Sequence, residues 1–371
     1  GPDWARGVYS VLDELEDLAE RTPSDEVARL LEYAHQRADR AINYIDDSDG
    51  WLSGICQRLS DMHIDVCERG DADPVKLARR LVKLELESEL DGFHRAAHTH
   101  QASLGERGLV EYRRLITPEW ETITPNTDLW SGNTFRIRQA MIGLALAGGD
   151  PDELIHVLSR DRMLPSDYLE VVEALVAAGR TDEAVDWARR GLAEVSHHQA
   201  RSLRDYLAGL LRSRGDDQLA ADLYWEEYKE EPGPNTYRRF LAENEGLESS
   251  AVLKDRALGW LRNQPVSEAS AAWGDRHAVR LIAVLLYEGE IDEAWQVAVE
   301  RGCSTSVWLD LARARERTHP EQAIGVYVDA AREEIAKVNR AGYQAAMKHL
   351  RRIEKLVGQD AGFVGIIGEL R

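Results

Sequence analysis

At 371 residues, with 43% apolar and 30% charged content, the chain can bury substantial cores, and its length fits two folded units. Sixty-six acidic residues against 46 Lys and Arg leave a formal charge of -20, which opposes nonspecific attraction to nucleic acid or anionic membrane over most of the surface. No apolar run reaches the length of a membrane span, no signal peptide opens the chain, and Cys56, Cys67 and Cys303 form no CxxC pair, so a reducing, cytoplasmic setting without disulfides is expected.

The first strong periodic segment carries Val27, Leu30, Leu31, Ala34, Ala38, Ala41, Ile42 and Ile45, the three-four spacing of one buried helical face. It ends in Asp46-Asp47-Ser48-Asp49-Gly50, the densest acidic cluster in a loop position. A calcium-binding EF-hand loop with Gly50 as its sixth position would begin at Ile45 and close at Cys56, and neither can be a ligand. Ser48 or Asp49 is therefore read as the cap of a helix opening near Trp51, and Asp46, Asp47, Asp49 and Trp51 form a candidate interaction loop.

The next helix carries Leu52, Ile55, Leu59, Met62 and Val66 on one stripe, together with Cys56, His63 and Cys67. Two Cys and a His on one stripe could contribute to a zinc site, but a fourth ligand must come from elsewhere, and buried Cys packs well as a small hydrophobe. Asp73-Pro74 predicts an N-cap and first helical residue for a segment through Leu77, Leu81 and Leu84. His94 and His98, four apart with His100 beyond, could share a metal on one helical face. The intervening Arg-Ala-Ala lacks the Glu that would act as base in a metalloprotease, so solvated or edge-packed His is the simpler reading.

Thr117 to Asn133, with two Thr-Pro pairs and Ser131-Gly132-Asn133, is the least helical stretch. It divides the chain into an N-terminal helical bundle over 1–117, a linker over 118–133 and a repeat array over 134–371. In the array a phrase recurs: Gly179-Arg-Thr-Asp-Glu-Ala184, Gly289-Glu-Ile-Asp-Glu-Ala294 and, more loosely, Gly215-Asp-Asp-Gln-Leu-Ala220. Gly ends one helix in the left-handed conformation, acidic residues suit the positive start of the next, and Ala allows close packing. The Ala positions 184, 220, 257 and 294 are separated by 36, 37 and 37 residues, although the copy at Ala257 lacks the Gly. Trp187, Leu223, Trp260 and Val297 follow them by three residues, on the same helical face. A tetratricopeptide repeat has a period of about 34 residues and a fuller consensus. The fold class is therefore all-α: tetratricopeptide-like helical-hairpin repeats forming an α-solenoid, with an N-terminal bundle.

Late in the chain Lys348, Arg351, Arg352 and Lys355 share one side of a helix and make a candidate basic face for nucleic acid, or a face that pairs with neighbouring acids. Of ten Trp, Trp120, Trp130 and Trp273 fall in or beside predicted loops and are candidate interface aromatics, unless they fold back over the core edge. No Gly-rich phosphate loop, nucleophile elbow or hydrolytic acid pair is present, so no catalytic, cofactor or metal residues are assigned.

Several segments together resemble the long helical region C-terminal to the zinc finger of bacterial SWIM zinc-finger family proteins, and a related bacterial domain of unknown function. They are Asp46 to Gly50 with Leu59 and His63, Asp73 to Leu81, Gly105 to Leu115, Asp182 to Leu192, Gly302-Cys-Ser, Trp308 to Ala312, and Tyr343 through Arg352. The Cys-x-Cys and Cys-x-His pairs of a SWIM finger are absent from the sequence, so the resemblance implies an upstream finger or a finger-less relative. Gly1-Pro2 reads as a protease-cleavage scar, compatible with sequence upstream. The expected function is a non-enzymatic protein-protein interaction scaffold with a protein or peptide partner; the alternative is an accessory nucleic-acid binder using the late basic face.

Overall fold

The computed structural model describes residues 3–44, 47, 50–88, 90, 92–124, 132–160, 163–195, 199–266, 275–357 and 368. Nineteen helices and no strand occur among the described residues, apart from an isolated bridge between Glu245 and Glu248. The chain forms two compact units, Gly1–Leu207 and Ala208–Arg371.

The first unit opens with α1 (Asp3–Arg21), α2 (Asp25–Ala41), α3 (Trp51–Arg69), α4 (Pro74–Glu87), the single turn α5 (Ala96–Thr99) and α6 (Gln101–Thr122). Ser24 and Asp73 cap α2 and α4 by accepting from Val27 N and Lys76 N. The apolar stripe expected on α3 is its buried face: Leu52, Ile55, Leu59, Met62 and Val66 are all inside. Helix α6 runs past the expected boundary, with Pro118 inside it. Ile116 is fully buried and Trp120 is 7% exposed, and this packing offsets the lost Pro118 hydrogen bond.

After it come α7 (Gly132–Gly148), α8 (Pro151–Leu158), α9 (Pro165–Ala177) and α10 (Thr181–Glu194). Helix α7 is buried on several sides, through Ile137, Ala140, Met141, Ile142 and Leu144 and also through Arg138 and Gln139. Arg138 lies 2.6 Å from Asp167, which also accepts from Leu164 N at 2.7 Å. A buried charge is tolerated here because it is paired and hydrogen-bonded. Helix α11 (Arg201–Ser213) contains the division between the units.

The second unit continues with α12 (Asp217–Glu230), α13 (Pro234–Glu243), α14 (Ser250–Arg262), α15 (Arg276–Glu288), α16 (Ile291–Arg301), α17 (Thr305–Arg315), α18 (Pro320–Ala336) and α19 (Arg340–Val357). These are successive helical hairpins. Gly179, Gly215 and Gly289 have φ of 74°, 82° and 82°, the left-handed corners expected from the recurring phrase. Ala184, Ala220, Ala257 and Ala294 are each 0% exposed, whereas Trp187, Leu223, Trp260 and Val297 are half-buried. The copy without its own Gly corner enters α14 through a longer turn, with Gly246 at φ 91° and Ser249 accepting from Val252 N.

Candidate functional site

Two clusters of chemistry-bearing side chains stand out, one sealed inside the first unit and one open in the second. In the sealed cluster His63 Nδ1 lies 2.9 Å from His100 Nε2, and His63 Nε2 lies 3.1 Å from Glu32 Oε1. Glu32 also accepts from Arg80 Nε at 2.8 Å, and Cys67 Sγ lies 3.6 Å from the His63 ring. His63 and His100 are both 0% exposed. Burial, then the neighbouring His63, lowers the His100 pKa to about 3, so its ring is neutral at ordinary pH.

Beside this cluster His35 stands edge-on to Phe93, ring centroids 4.7 Å apart, and burial lowers its pKa to about 4. Burial likewise raises the thiols of Cys56 and Cys67 to about 12, which keeps them protonated at ordinary pH. No group of three or more His, Cys, Asp or Glu able to hold a metal occurs among the described residues. The cluster's hydrogen bonds join α2, α3 and α4 to the junction of α5 and α6 at His100.

Arg95, at φ 54°, breaks the backbone between His94 and His98, so the pair is not on one helical face. His94 packs near Phe135, His98 is exposed, and only His100 turns inward. Glu85 holds this turn: it accepts from Arg95 N at 2.8 Å, Ala96 N at 3.3 Å and the Tyr112 hydroxyl. Burial outweighs these bonds and raises its pKa to about 7.

In the acidic segment Asp47 accepts from Leu52 N at 2.8 Å and Ser53 N at 3.3 Å. Asp47 is thus an acceptor at the start of α3, where Gly50 has no side chain to offer, while Ser48, like Asp49, lies outside the described residues. Trp51 packs edge-on against Tyr9 at 5.9 Å. Asp46 and Asp49 lie outside the described residues, as do Trp130 and Trp273. Trp120 is buried, with the Arg160 guanidinium 4.5 Å from its ring centroid, so it closes the core edge and is not an exposed anchor.

On the basic face, Arg352 donates to Glu316 at 2.5 and 2.6 Å. The Arg352 hydrogen bond is the chief cause of the lowered Glu316 pKa, and Tyr327 also donates to this carboxylate. Lys348, Arg351 and Lys355 are exposed and make no salt bridge among the described residues. One of the four expected cations is therefore committed to holding α19 against α17.

The open cluster is a groove of about 760 Å³ walled by α16, α17 and α18. Helix α18 contributes Gln322, Gly325, Val326, Asp329, Ala330 and Glu333, residues at three-four spacing and hence one helical face. Trp295 and Trp308 meet edge to face across the opposite side, centroids 5.0 Å apart. The end of the groove is fixed by Arg315, 6% exposed, whose guanidinium lies 4.8 Å from the Trp295 centroid and donates to Asp292 and Gln322. Thr305 donates to Glu333 at 2.9 Å, and Arg332 donates to Asp329 at 2.8 Å. A Cβ added at Gly325 would meet nothing within 4 Å, so the groove is open above it.

Residues 14–363 match a family of unknown function, DUF6880. The chain belongs to this family. No curated protein matches this DUF6880 chain. Among solved structures it is similar to a circular tandem repeat protein with novel repeat topology and enhanced subunit contact surfaces, at 15% identity over 99% of this chain and 88% of that chain. The TM-score of 0.15 is too low to carry an argument about shape or function.

Trp308, Asp329 and Glu333 were not singled out as site residues from the DUF6880 sequence. Their signal is present but faint: α18 carries small or polar residues at 322, 325, 329, 330 and 333, on one side of a helix whose other side holds Ala323, Tyr327 and Ala331. Only the packing of α17 shows which tryptophans face that side.

Proposed function

We propose that the protein is a non-enzymatic interaction scaffold that seats a protein or peptide partner in the groove between α16, α17 and α18. The observation that carries this reading is the groove itself: about 760 Å³, with partly exposed Trp295 and Trp308 on one side and an unfilled helical face on the other. Rigid aromatic anchors beside open volume suit the recognition of an extended or helical segment. The histidine cluster favours a structural role, since His63 and His100 are buried and their ring nitrogens lie against each other, Glu32 and the Ala96 carbonyl.

Photo-crosslinking tests the placement. With Gly325 replaced by benzoylphenylalanine, discrete crosslinked species are expected in the native host, and none of the same mass from the exposed position Leu219. Identical patterns from both positions would refute a specific groove. In the fuller version of this proposal, the scaffold is the helical region of a larger cytoplasmic SWIM zinc-finger-type protein, and a native reading frame without an upstream Cys-x-Cys and Cys-x-His removes that part.

Lys348, Arg351 and Lys355 of α19, which make no salt bridge among the described residues, favour a second reading, contact with nucleic acid. A salt-sensitive mobility shift abolished by Arg351→Glu would support it, and no shift by the wild type at low salt would end it.

A further inference from the structure

We infer that the groove's occupant is a basic linear segment, with a Lys or Arg set over Trp308 and paired to Asp329 and Glu333, an assignment that rests on the scaffold reading above. The two rim carboxylates are exposed and lie four residues apart on α18, so they face the same opening. Glu333 has a hydroxyl partner, Thr305, but no cation among the described residues, and Asp329 has only the exposed neighbour Arg332. Among the described residues no Lys or Arg lines the groove. An anionic ligand would therefore meet two carboxylates and no compensating charge.

The aromatic side points the same way. Trp295 already has the guanidinium of Arg315, a buried residue outside the groove's lining, over its ring, so indole–guanidinium stacking is already used beside the groove. Among the described residues no cation lies over Trp308, so an equivalent place is open to a partner's side chain. Gly325 and Ala330 keep the floor low between the Trp pair and the acids, leaving room for a backbone to pass. The chain's charge of -20 would speed encounter with a cationic segment without determining where it lands.

The test uses the full chain and a fluorescent peptide in which Lys and Arg alternate with Ala and Leu, with a Glu-for-cation counterpart as control. Anisotropy is followed at about 50 mM and about 300 mM salt. Binding of the basic peptide only, weakened by salt, is expected. The double variant Asp329→Asn with Glu333→Gln should weaken it about tenfold, the scale of two partly exposed ion pairs. Gly325→Leu should weaken it at least as much while changing no charge, and because it replaces an open helical Gly its thermal midpoint should not fall.

Undiminished binding by Gly325→Leu would mean that the peptide merely coats the acidic surface, and would overturn the assignment, as would no binding at all. Sedimentation showing a dimer lost in Gly325→Leu would replace the basic segment by a second copy of the chain. Host proteins captured by the wild type and by Gly325→Leu separate the two levels of the argument. Loss of capture without peptide binding removes the basic occupant and keeps the scaffold; unchanged capture removes both.

Discussion

The Gly92–His35 contact allows a sharp test of the first unit's interior. A Cβ built on Gly92 would lie 1.8 Å from His35 Nε2 and within 3 Å of two ring carbons. The ring cannot swing aside cheaply: His35 is 1% exposed and wedged against Phe93. Gly92→Ala should therefore destabilise by about 1–3 kcal/mol, the usual cost of overpacking. His35→Ala should cost about 3 kcal/mol, near the lower end for truncating a buried aromatic.

Combining the two removes the clash, because the added methyl then enters space the ring has left. The double variant should consequently be about 1–3 kcal/mol more stable than the sum of the single effects implies. Urea unfolding of the full chain, followed by far-ultraviolet circular dichroism and read in the transition of the first unit, supplies the four free energies. Additivity within about 0.5 kcal/mol would refute the close approach and with it the described packing of this turn.

Three further outcomes follow from the same structure. Glu85 holds its proton up to about pH 7 when folded but only to its ordinary value near 4.5 when unfolded, so its contribution is full at low pH and is lost as pH rises across that window. Relative to Glu85→Gln, the wild type should lose about 3 kcal/mol between pH 4.5 and 8, and parallel stability curves would contradict this. Arg138→Met should cost about 3–5 kcal/mol by leaving Asp167 buried and unpaired, and adding Asp167→Leu should recover most of it, as measured by chemical denaturation. Gly289→Ala should lower stability by about 1–2 kcal/mol because its φ is 82°, whereas Gly325→Ala, in a helix, should raise it by up to about 1 kcal/mol; equal effects in thermal melts would undo the distinction.

Periodicity exposed the hairpins because helix packing acts between near neighbours in sequence. The four Ala positions, the left-handed Gly corners and the stripe on α3 could all be read without coordinates. Arg95 could not: nothing about an Arg announces a left-handed turn, and Glu85 and Tyr112, which hold it, lie ten and seventeen residues away. The union of His63 with His100 depends on that turn and spans 37 residues, so helical spacing, which pairs only near neighbours such as His94 and His98, could not show it. For Trp120 the sequence left two readings open, an interface anchor or a fold back over the core edge, and the continuation of α6 past Thr117-Pro118 gives the second. The groove was hidden because its two sides come from helices whose facing is a tertiary outcome.

The four Ala contacts and the residues three positions beyond them separate two kinds of inheritance. A methyl group at each fully buried contact fixes how closely the helices approach, and that dimension tolerates little drift. The half-buried neighbours Trp187, Leu223, Trp260 and Val297 can vary in size and polarity without altering that approach. A lineage built on this plan can therefore change what its members recognise through substitutions at the second set while leaving the first untouched, so kinship is best traced in the small residues and divergence of purpose in the large ones.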